Sequence, residues 1–166
     1  MGNVRPMADL LSMIALPNRL RTAARLLTGP SAWWLALRTV WWLAVLPILK
    51  RVLPLPRLAH LMWSGGSADC RQPDREELTV AIVRGFSRSS GGNCLERSLV
   101  LYRFLSRANA NPELVAGMSK PEDFIGHAWV EVEGRPLLET PEAVAPYVEV
   151  MRFGVGGRLS HPRAAE

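Results

Sequence analysis

The chain has 166 residues, 48% of them hydrophobic and 21% charged, which suits one domain with its own core and excludes a disordered or collagen-like polymer. Its net charge of +5 is carried almost wholly by arginine, Lys50 and Lys120 being the two lysines. The charge is uneven: residues 1–63 hold eight basic side chains against Asp9 alone, while residues 64–166 hold twelve basic against fourteen acidic.

Two cysteines cannot staple a secreted mini-domain, so the thiols are expected to be reduced. His60, Cys70, Cys94, His127 and His161 have no zinc-finger spacing, no phosphate-binding glycine loop occurs, and no cofactor is expected. The apolar stretch at 7–16 contains Asp9 and lacks a basic segment and cleavage site, so it does not read as a signal peptide, and the chain reads as cytoplasmic.

In chain order, helical spacing covers 7–15 and 18–28, with Asn18 as N-cap and Gly29-Pro30 as a stop. Ser31 then caps an apolar run from Ala32 to Leu49, which Pro47, Pro54 and Pro56 are expected to break. The run approaches the roughly 20 residues of a membrane span, but a central Arg38 costs about 2.5–3.5 kcal/mol there. Trp33, Trp34, Trp41 and Trp42 recur at a spacing that places all four on one helical face. Three readings stay open for this segment: a buried core helix, a protein- or peptide-docking surface, or peripheral membrane contact through residues 31–53.

Residues 64–73 read as a linker between this basic, Trp-rich helical part (1–63) and a second part over 74–155, with a polar tail over 156–166. Asp74 is expected to cap a helix to about residue 87, with Leu78, Ile82 and Phe86 in one stripe. Ser89-Ser90-Gly91-Gly92-Asn93 interrupts it, and a strong helix follows from Cys94 to Arg107. Its Leu95, Leu99, Tyr102 and Leu105 face the core; Glu96, Arg103 and Arg107 point outward. Cys94 thus falls in a first helical turn, where backbone N–H groups and the positive end of the dipole favour a thiolate. The bland alternative is a small apolar packing residue.

Strands are expected at 113–118, through His127, at 135–139 and at 147–153, giving an α+β class: two helices, then an antiparallel sheet. Around His127 the alternation puts Ala128, Val130 and Val132 on one face and His127, Trp129 and Glu131 on the other. A three-residue loop over 133–135 pairs Trp129 with Glu139 and brings that carboxylate to the imidazole. A two-residue loop turns Glu139 to the opposite face. A Cys94–His127–Glu139 triad therefore predicts the longer loop. The alternatives are a solvated charge at Glu139 and a packed histidine under Trp129.

Cys94-Leu-x-Arg-Ser-Leu, then about thirty residues, then His127-Ala-Trp-Val-Glu-Val-x-Gly and an acid twelve after the histidine resemble the transglutaminase-like fold. More narrowly they resemble the lasso peptide biosynthesis B proteins in their stand-alone peptidase form. The resemblance implies a papain-like cysteine peptidase core over 74–155 that removes the leader from a ribosomally made precursor. It implies as partners the precursor leader peptide, a small leader-recognition protein in another chain, and a separate ATP-using, asparagine-synthetase-like lasso cyclase. It assigns Cys94 as nucleophile, His127 as general acid/base, and Glu139 as the acid where the family has Asp. Adjacency adds Asn93, beside the Cys94 N–H, as an oxyanion donor, and Trp129 as a substrate contact. Acyl transfer with the same triad, and a non-catalytic peptide-binding module, are the rival readings. Nucleic acid is not expected as a partner, for want of a reading motif.

Overall fold

The computed structural model describes residues 30–65, 70–90, 93–119 and 125–160. The helices expected at 7–15 and 18–28, and His161, lie outside them. The helices are α1 (Pro30–Val52), α2 (Leu55–Met62), α3 (Pro73–Ser90), α4 (Cys94–Arg107) and the short α5 (Pro141–Val144). The strands are β1 (Glu113–Ser119), β2 (Gly126–Val132), β3 (Arg135–Leu137), β4 (Tyr147–Phe153) and β5 (Leu159–Ser160), which form one antiparallel sheet in the order β3-β2-β1-β4-β5. The class is α+β, a helical front part followed by a sheet, as expected.

The helix α1 runs unbroken through Pro47, contrary to the expectation that this proline ends it. Proline removes one intrahelical hydrogen bond, a local cost that tertiary packing can outweigh. Here Leu46 is fully buried, and both it and Trp42 belong to the core. The four tryptophans do not share one environment. Trp33, Trp34 and Trp41 are 64%, 61% and 56% exposed, whereas Trp42 is 8% exposed and lies under the Arg103 guanidinium, 4.4 Å from its ring centroid. Among the described residues no helix is long and apolar enough to cross a membrane.

The helix α4 is the hub of the core. Leu99, Tyr102 and Leu105 are completely buried, together with Leu46 of α1, Leu58 of α2, and Leu114, Val130 and Phe153 of the sheet. Because α1 packs on α4, Glu96 is not an outward-pointing charge. It is nearly buried and paired with Lys50, an ion pair between the two helices. Arg103 is likewise drawn inward, donating to the Leu61 carbonyl at 3.1 Å. The Ser98 hydroxyl donates to the Ala128 carbonyl at 2.8 Å and pins α4 to β2.

Both faces of β2 are covered, where the alternation suggests one open face. The face of Val130 and Val132 meets the helices. On the other, Arg152 of β4 is 4% exposed and takes three carboxylates: Glu113 at 2.7 Å, Glu131 at 2.8 Å and Glu149 through two bonds at 2.7 and 2.8 Å. Trp129 Nε1–H donates to the other carboxylate oxygen of Glu131 at 2.9 Å, tying the indole to this cluster.

Candidate active site

Cys94 opens α4 because Asn93 caps it: the Asn93 side-chain oxygen accepts from the Leu95 N–H at 3.1 Å. The first intrahelical bond runs from Arg97 N to Asn93 O, so the Cys94 N–H lies ahead of the hydrogen-bonded ladder. Both cysteines are free thiols. Cys70 is exposed and Cys94 half-buried.

His127 stands near the start of β2, opposite Gly117 of β1. A side chain at 117 would sit 3.0 Å from the Trp129 ring and 3.0 Å from the Val148 carbonyl, so the glycine is what lets the indole lie across β1. The imidazole stacks on Tyr147 at 4.8 Å and on Trp129 at 6.0 Å between centroids. Trp129, 5% exposed, thus backs the histidine and is not among the residues lining the cavity described below. Tyr147 was not anticipated. Its strand was legible, but its stacking on an imidazole of β2, two strands away in the sheet, is a tertiary contact.

Glu139 arrives at the histidine by a route that the hairpin reasoning did not foresee. The turn is the two-residue one: Val132 pairs with Arg135, and Glu133 and Gly134 have φ of 53° and 76°, as a type I′ turn requires. Continued as a strand, β3 would carry Glu139 opposite Ala128. Instead β3 stops at Leu137, and Leu138 takes φ of 67°, which ends the pleat. The carboxylate then comes to 3.6 Å from His127 Nε2, and each side chain is 17% exposed. The expectation that only a three-residue loop joins Glu139 to His127 is therefore wrong, because face alternation holds only while the chain remains a strand.

The same Glu139 oxygen also binds the Arg97 guanidinium. Arg97 lies three residues after Cys94, one turn along the same side of α4, so the helix that presents the thiol also holds the acid. Sequence reasoning counted Arg97 within the Cys94-Leu-x-Arg run without giving it a role. The i,i+3 spacing was the signal that could have found it.

Cys94 and His127 line one cavity of about 360 Å³, together with Asn93, Leu55, Leu95 and residues of β1, β2 and β4. A thiol at a helix start and an imidazole with a carboxylate behind it, opening on a common cavity, form the arrangement from which an activated nucleophile is made.

A family model for the transglutaminase-like superfamily matches residues 35–152. The chain belongs to that superfamily. No curated protein and no solved structure matches it. The matched stretch of this transglutaminase-like protein starts within α1, after Trp33 and Trp34, and takes in Trp41 and Trp42, α4, β1 to β3 and all but the last residue of β4. The helical front part and the antiparallel sheet agree with the papain-like α+β core of the superfamily, which includes cysteine peptidases and acyltransferases.

Proposed function

We propose that this transglutaminase-like protein is a cytoplasmic cysteine peptidase that removes the leader from a ribosomally synthesised lasso peptide precursor. The observation that carries the peptidase reading is the cavity shared by Cys94 and His127, with Glu139 3.6 Å from Nε2 of the ring. The leader substrate rests on the resemblance of the Cys94 and His127 segments to the lasso B proteins. The partners follow from it: the precursor leader peptide, a small leader-recognition protein and an ATP-using cyclase.

In this reading Glu139 holds Nε2, which leaves Nδ1 to take the thiol proton. The Cys94 sulfur attacks the carbonyl carbon at the leader–core junction, and the Cys94 N–H, joined by the Asn93 amide, steadies the oxyanion. The C–N bond then breaks, and the proton passes from His127 to the departing amine. Water, deprotonated by the imidazole, cleaves the thioester and restores the thiol.

The test is mass spectrometry of a precursor peptide encoded beside this gene, incubated with the protein and its recognition partner. Wild type yields two linear fragments, and Cys94→Ala and Cys94→Ser yield none. Fragments from Cys94→Ala would overturn the reading, and a joined product would establish acyl transfer instead. Without any precursor, iodoacetamide near neutral pH compares two thiols in one molecule. Exposure alone favours Cys70, whereas a thiol served by His127 makes Cys94 react faster.

A further inference from the structure

We infer that the cavity beside Cys94 is a side-chain subsite for a bulky aliphatic or aromatic residue of the acyl donor, and that it excludes charged residues. The inference rests on the reading of Cys94 as nucleophile and adds to it the class of residue recognised.

Apart from the Cys94 thiol, Asn93 and the His127 ring, the side chains lining the cavity are apolar, with no Asp, Glu, Lys or Arg among them. Its walls are Leu55 from α2, Met118 from β1, and Val150 and Met151 from β4. Ala116 and Gly117 form a floor without bulk. A charged group entering it would lose hydration without gaining an ionic partner among the lining side chains. An apolar group would gain by leaving water. The volume of about 360 Å³ is at the small end of ligand cavities, roughly 300–1,000 Å³, and suits a side chain more than a whole peptide.

A local irregularity of the sheet lies in this wall. Val150 and Met151 are successive residues of β4, and both line the cavity where the sheet is irregular. Between Ala116 and Gly117 the β1–β4 register shifts: Ala116 pairs with Met151 but Gly117 pairs with Glu149, which leaves Val150 as an extra residue. Such a bulge re-aims side chains. Met118, Val150 and Met151 are 39%, 47% and 36% exposed, so the wall is open to a ligand. The two methionines can adapt to aliphatic or aromatic shapes.

The probes are dipeptidyl chloromethyl ketones carrying Leu or Phe, or else Asp or Lys, at either position, with labelling of Cys94 followed by peptide mass spectrometry. The apolar reagents should label at least about tenfold faster than the charged ones at one of the two positions. Val150→Asp, and independently Met151→Asp, should reduce that preference and raise labelling by the lysyl reagent. Iodoacetamide is run in parallel on every protein. Rapid iodoacetamide labelling of Cys94 with no discrimination among the ketones at either position overturns the subsite and leaves the nucleophile standing. Labelling of Cys94 slower than Cys70 overturns both.

Discussion

Glu139 and His127 face each other at 3.6 Å just past the end of β3, where Leu138 takes a left-handed conformation that ends the strand. That separation is an ion-pair distance, longer than a hydrogen bond. The oxygen nearest the imidazole is shared with Arg97, so the acid is held from two sides. A glutamate, one methylene longer than the aspartate of the resembled family, spans the gap that the strand end leaves.

Glu139→Gln keeps the shape of the side chain and removes its charge. Turnover of the precursor should fall by on the order of 10²-fold, within the range of a general acid–base contribution. Glu139→Asp withdraws the carboxylate and should fall between the two. A wild-type rate in Glu139→Gln would remove the residue from the machinery.

Arg97→Ala should lower kcat about tenfold while leaving KM near wild type, because a carboxylate released from its clamp spends less time facing the ring. Arg97→Lys keeps the charge and should recover part of the loss. Altered KM with unchanged kcat would make Arg97 a substrate contact instead.

Arg152→Met leaves Glu113, Glu131 and Glu149 facing one another without their shared cation. Losing one partner of a buried ionic cluster costs about 3–5 kcal/mol, which urea unfolding should register. A cost below about 1 kcal/mol would place the cluster with ordinary surface pairs.

Burial holds the Tyr102 phenol protonated well above its ordinary range, while its hydroxyl donates to the Gly154 carbonyl. In the unfolded chain a tyrosine ionises near pH 10. Above that pH the unfolded state binds fewer protons than the folded one, so stability declines as pH rises further. Tyr102→Phe should cost about 1 kcal/mol at neutral pH, for the lost hydrogen bond. It should also flatten the decline above pH ~10. Identical alkaline profiles for the two proteins would contradict this.

The helix that bears the candidate nucleophile and the inner strand β4 were legible from the sequence. The limits of α4, Cys94–Arg107, and of β4, Tyr147–Phe153, are those that the sequence predicts, because capping, glycine interruption and strict periodicity act within a few residues of chain. The helix α3 runs to Ser90, past the expected end near residue 87, and Glu96 was expected outside only because the packing of α1 on α4 leaves no local trace.

Sequence by itself determined the class of fold, the thiol at a helix start and the imidazole on a strand, since each follows from local periodicity and residue type. Tertiary structure alone decided which of the four tryptophans of α1 is buried, that Arg152 covers the second face of β2, that Val150 and Met151 line one cavity beside a bulge, and that Leu138 swings Glu139 to the histidine. These depend on contacts between residues far apart in the chain, where one register shift or one left-handed residue redirects a side chain, and no local pattern encodes that choice.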